Sequence, residues 1–131
     1  MVLHPLFSYP AVLLALLVFV FYSLGVLKLK GLLKPALYLN VVLIVLLVFS
    51  VIFGFAVSNV PLVQSKAPFI WAFPHKWNGI LLLLLSLVNF LVFWFKGDGV
   101  GRRFIVLPAL GILITLFQLF TGWMLRLVFF S

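Results

Sequence analysis

The sequence predicts an all-α integral membrane protein, an up-down-up-down bundle of four transmembrane helices. Three observations predict it. Of 131 residues, 67% are hydrophobic and 8% charged, whereas a soluble domain carries roughly 45–50% apolar and about 25% charged residues. The apolar residues fall into four runs, each near the about 20 residues that a helix needs to cross roughly 30 Å of hydrocarbon. Transmembrane strands would show short alternating stretches, and continuous runs such as AVLLALLVFVFY exclude them.

The four spans are read at about 5–26, 36–58, 77–96 and 105–127, within one domain covering 1–131. The first link, KLKGLLKP, carries Lys28, Lys30 and Lys34; the third, KGDGVGRR, carries Lys96, Arg102 and Arg103. The second link and the C-terminal end carry only Lys66, Lys76 and Arg126. The excess of cations on the first and third links places them in the cytoplasm and both termini outside. The start lacks a basic segment before its apolar run, and that run is long enough to span, so a cleaved secretory signal is not expected.

The interfacial aromatics are consistent with that topology. Tyr9, Trp71, Trp77 and Trp123 fall at the outer boundary and Tyr22, Tyr38 and Trp94 at the inner one, where amphipathic rings settle. Between Asn59 and Pro74 lies the longest link, with Pro61 and Pro68 around the cluster FIWAF. It reads either as an interfacial anchor or as a lid over whatever the bundle holds.

Each span also carries a helical stripe. In the first it runs His4, Ser8, Ala11, Ala15, Val18, Tyr22 and Gly25; in the third, His75, Gly79, Leu82, Ser86, Asn89 and Phe93. The fourth has Gly111, Thr115, Gln118 and Gly122, and the second, poorer in small residues, has Ala36, Asn40, Leu43, Leu47, Ser50 and Gly54. Lipid does not press helices together, so small residues and polar side chains mark the packed faces. Asn89 and Gln118 lie deep in their spans and read as interhelical ties or, alternatively, as a second functional site. Asn40 lies near the inner boundary, a solvated helix end or a contact for a lipid or quinone head group.

The charge of +8 does not point to nucleic acid, because the cations are spread over links. A single acid, Asp98, leaves no carboxylate pair for acid–base chemistry, and the absence of cysteine excludes a thiolate nucleophile and covalently attached c-type haem.

His4 and His75 open the first and third spans, so both fall at the same outer face. Two histidines without cysteine or carboxylate make a poor zinc site, because structural zinc takes four protein ligands. A haem supplies four nitrogens itself and needs only axial ligands. His4 and His75 are therefore candidate iron ligands of one b-type haem. The small residues Ser8 and Gly79, one turn along, would leave room for porphyrin, and Lys66, Lys76 and Arg126 are the outer cations for its propionates. The competing reading is that both histidines are interfacial or capping residues, since Pro5 and Pro74 beside them suit a helix start.

HPLF at 4–7 and PHKWNG at 74–79 resemble the histidine motifs of cytochrome b561-type proteins, the second through His75, Trp77 and Gly79 in His-x-Trp-x-Gly. Bacterial membrane families with a similar histidine–proline start are close to it as well, which implies a prokaryotic cytoplasmic membrane. The resemblance implies a four-helix core in which His4 and His75 are one haem-ligand pair, with Trp77 and Gly79 beside the cofactor. It also implies a second pair on the second and fourth spans. This chain has no histidine there and offers Leu37, Tyr38, Asn40, Leu107 and Pro108 instead, so the inner haem is expected to be absent.

One haem near one face cannot relay electrons across the whole hydrocarbon layer, so the family's transmembrane reductase activity is not expected. Bis-histidine iron has no open coordination position, which favours outer-sphere transfer to or from a quinone or a partner protein. The function expected is thus an electron-transfer subunit of a larger redox complex, with enzyme activity of its own left open. The alternative is a cofactor-free structural or assembly subunit. A channel or carrier is disfavoured, because no inverted repeat, broken helix or charged ring is legible.

Overall fold

The computed structural model describes residues 3–58 and 69–130, with side chains described over 9–56, 74–97 and 99–124. Its helices are α1 (Leu3–Leu27), α2 (Leu33–Ser58), α3 (Phe69–Lys96) and α4 (Val106–Phe130). Each contains a segment long and apolar enough to cross a membrane, with mean hydropathy of 2.2 to 2.8. The protein is a multi-pass membrane protein built as an all-α four-helix bundle, and no strand occurs among the described residues.

Contacts along the helices define the bundle. α1 packs against α2 and α4, and α3 packs against the same two, so α1 and α3 stand across from each other. In each neighbouring pair, late residues of one helix meet early residues of the other. Tyr22 meets Asn40, Lys76 meets Phe55, and Thr121 meets His75. The helices therefore run up, down, up and down.

The striped faces turn inward on all four helices. Ala11, Ala15, Val18 and Tyr22 of α1 are fully buried, as are Ala36, Asn40 and Leu43 of α2. So are Leu82, Ser86, Asn89 and Phe93 of α3 and Thr115 of α4. The opposite faces expose Leu13, Val41, Val45, Leu84, Leu91 and Leu113, as contact with lipid requires. Two glycines permit close approach. A Cβ on Gly111 would lie 2.6 Å from the Phe19 ring, and one on Gly25 would lie 2.5 Å from Leu33 Cδ2.

The ends of the helices follow local chemistry. Pro35 and Pro108 are each the third residue of their helix, where a missing N–H removes no helical bond. Short 3-10 turns at Lys30–Leu32, Gly97–Gly99 and Arg102–Ile105 form the two basic connections. Gly97 adopts φ 55°, a conformation that costs a residue without Cβ little. Lys30 Nζ donates to the Val100 carbonyl at 2.9 Å and ties the two connections together.

Two sequence expectations need correction. α3 begins at Phe69 rather than near residue 77, so the aromatic cluster is helical and Pro74 lies inside the helix. Pro74 is the sixth residue of α3, so only one backbone bond near the helix start is lost to its ring. The lid expectation for 59–68 lies outside the described residues. Tyr22 is not a boundary aromatic. It is fully buried, because its place on the α1 stripe aims the ring inward, where Asn40 supplies a partner for its hydroxyl.

Candidate functional site

His75 is the seventh residue of α3 and is half-buried. Its Nδ1 lies 2.9 Å from Thr121 Oγ1 on α4. Thr121 is fully buried, and its hydroxyl donates to the Gln118 carbonyl one turn back at 3.2 Å. A hydroxyl has one proton to give, so the tautomer of His75 decides which way this bond runs: a ring with the proton on Nδ1 donates to Thr121, and one with it on Nε2 accepts from Thr121. Gly122 completes the seat. A Cβ there would come within 3.1 Å of the His75 Cε1, so glycine is what lets the imidazole lie against α4.

One turn further along α3, Asn78 Nδ2 donates to Gln118 Oε1 at 2.8 Å and to the Ile114 carbonyl at 3.0 Å. The Gln118 amide also fills the space beside Gly79, with Nε2 3.2 Å from where a Cβ would stand. The gap that the sequence offered to a porphyrin is therefore occupied by a side chain of α4. The histidine end of the α3–α4 pair is a chain of polar contacts from His75 through Thr121 and Gln118 to Asn78.

The other expected residues divide as follows. His4 is the second residue of α1, which stands across the bundle from α3. Its side chain lies outside the described residues, as do those of Ser8 and Arg126, and Lys66 lies outside altogether. Lys76 is half-buried with Nζ 4.2 Å above the Phe55 ring, a cation–π contact across to α2. Trp77 is 52% exposed on the outside of the bundle. Among the described residues no group of three or more histidine, cysteine, aspartate or glutamate side chains gathers to hold a bare metal ion.

A second polar cluster lies toward the basic end. Asn40 Nδ2 donates to the Tyr22 hydroxyl at 2.7 Å and to the Ser86 carbonyl at 3.1 Å, joining α2 to α1 and α3. Tyr22 stacks on Phe93 with ring centroids 4.4 Å apart. Asn40 is thus neither a solvated helix end nor a head-group contact, because its stripe position carries it into the core. Asn89 does not tie helices together. Its Nδ2 donates to Leu85 of its own helix at 2.8 Å, because within α3 the carbonyl one turn back is the nearest acceptor.

Thr121 and Asn78 were missed by sequence reasoning. A signal was present: polar residues recur three apart on both spans, at His75 and Asn78 and at Gln118 and Thr121. Two such pairs at the same depth on neighbouring helices point toward each other. Comparison with protein-family models, curated proteins and solved structures finds no match.

Proposed function

We propose that this protein is a b-type cytochrome subunit of the membrane. It would hold one haem near the extracytoplasmic face, with His4 and His75 as ligands, and exchange electrons with a quinone or a partner protein. His75 carries the reading. It lies on the interior stripe of α3 with its Nδ1 held by the Thr121 hydroxyl, 2.9 Å away. Histidine ligands of metals characteristically donate one ring N–H to a nearby acceptor, which fixes the tautomer and orients the other nitrogen. The placement of α1 across from α3 also suits a group clamped from two sides.

When bound, haem would supply the one-electron carrier that no side chain here provides. The chain's own residues would do the rest. Thr121 and Gly122 set the angle of the His75 ring, Lys76 brings a cation to the same end, and the lipid-facing residues exclude water. At the basic end the stacked Tyr22 and Phe93 and the bonded Asn40 fill the bundle with side chains, which supports a single haem rather than two.

The test is an absorption spectrum of protein purified after haem-supplemented expression. A split reduced α-band that disappears in His4→Ala and in His75→Ala supports the assignment. A colourless preparation of folded protein overturns it.

One observation favours a second reading, a cofactor-free structural or assembly subunit. Gln118 closes the gap beside Gly79, and the contacts among His75, Thr121, Gln118 and Asn78 knit α3 to α4 with no added group. On that reading both histidine substitutions leave the assembled complex intact and active.

A further inference from the structure

We propose that the groove between the start of α2 and the end of α3 binds an anionic phospholipid. It has a volume of about 320 Å³ and is lined by Leu33, Lys34, Leu37, Tyr38, Phe93 and Trp94, with Gly97 at its end. Its lining changes character from inside to outside. Leu33 and Phe93 are buried and form an apolar floor, while Tyr38 and Trp94 are 63% and 58% exposed at the rim. Lys34 is exposed at the mouth.

Charge complementarity selects the occupant. Of the other cations at this end, Lys30 donates to the Val100 carbonyl and Lys96 and Arg103 lie over the Phe104 ring, while Lys28 and Arg102 do not line the groove. Among the described residues nothing pairs with Lys34; the chain's single acid, Asp98, follows Gly97 and its side chain lies outside the described residues. A cation above an apolar floor, flanked by tyrosine and tryptophan at the membrane boundary, matches a phosphate head group above an acyl chain. Basic pockets between helices on the cytoplasmic side bind anionic lipids on this principle. A soluble anion would gain the lysine but nothing from the floor. A neutral lipid would gain the floor but leave the ammonium without a counter-charge. The volume is at the small end of ligand clefts, enough for a head group and the upper part of a chain. Exposed Val41, Val42 and Val45 on the following turns of α2 continue the apolar surface.

The test is native mass spectrometry of the intact protein released from vesicles of equal phosphatidylglycerol and phosphatidylcholine. The expected result is retained phosphatidylglycerol, reduced about fivefold in Lys34→Gln, restored in Lys34→Arg and unchanged in Lys28→Gln, which lies outside the groove. Thermal unfolding of each variant checks that the fold survives an exposed substitution. Equal retention of both lipids, or full retention of phosphatidylglycerol by Lys34→Gln, overturns the proposal. So does displacement of the lipid by millimolar inorganic phosphate, which would make the groove a site for soluble anions. None of these outcomes depends on whether haem is bound.

Discussion

The imidazole of His75 is seated on α4 by the Thr121 hydroxyl, 2.9 Å from Nδ1, and by the open space at Gly122. Thr121→Val keeps the shape and removes the hydroxyl. If haem is bound, the variant should keep a b-type spectrum with a shifted reduction potential and about 10- to 100-fold weaker haem retention, the scale on which such supporting partners act. Redox titration and haem transfer to apomyoglobin measure the two effects, and Thr121→Ser should restore both. The two buried asparagines invite a direct comparison. Both are fully buried, and each has a side-chain oxygen without a protein partner among the described residues. Asn40 bonds across to Tyr22 and Ser86, whereas Asn89 bonds only within its own helix. Asn40→Ala should therefore cost about 1–3 kcal/mol, and more than Asn89→Ala, in unfolding experiments in detergent. Asn89 was legible as an interior polar group from its stripe, whereas Asn40 was read at the inner boundary and is instead buried. Their different partners were not legible, because a stripe gives a direction and not a neighbour.

Helix pairs are held by close approach and by polar bonds rather than by a drive to leave water, since lipid is as apolar as the core. The α1–α4 contact depends on Gly111, where an added methyl would press on the Phe19 ring. Gly111→Ala should destabilise the bundle by about 1–3 kcal/mol through overpacking, as read from its thermal unfolding against the unaltered chain. The α3–α4 pair is joined by Asn78 and Gln118 at 2.8 Å. A double-mutant cycle with Asn78→Leu and Gln118→Leu should return a coupling of about 0.6 kcal/mol and at most about 2. A value near zero would make the bond incidental. Among the elements, α3 shows the limit of reading by punctuation. Pro61, Pro68 and Pro74 mark a link by composition, yet the helix starts at Phe69. A proline near a helix start removes one bond, and the apolar residues before it, FIWAF, keep a helix favourable where membrane begins.

At the scale of the molecule the charge pattern sets the expected topology. Both short connections are basic and are joined by the bond from Lys30 to Val100. Lys30 thus has a structural part as well as any part in orientation, which composition alone does not reveal. The chain contains no cysteine, so single cysteines report cleanly. A Cβ on Gly31 or Gly99 meets nothing within 4 Å, and Gly31→Cys and Gly99→Cys should both be labelled by an impermeant thiol reagent only from the cytoplasmic side. Labelling from outside would invert the topology and move His75 to the cytoplasmic face.

By itself the sequence determined the number of helices and the direction of their lipid-facing and interior faces. A single physical demand decides all of these: about 20 consecutive residues must be apolar, and the packed face must be small or polar. Only the tertiary structure decided which polar groups meet. The seat of His75 on Thr121 and Gly122, the filling of the Gly79 gap by Gln118, and the burial of Tyr22 against Asn40 and Phe93 all depend on the rotation and depth of neighbouring helices. Those are set by the summed packing of whole faces, to which no single segment of sequence gives access.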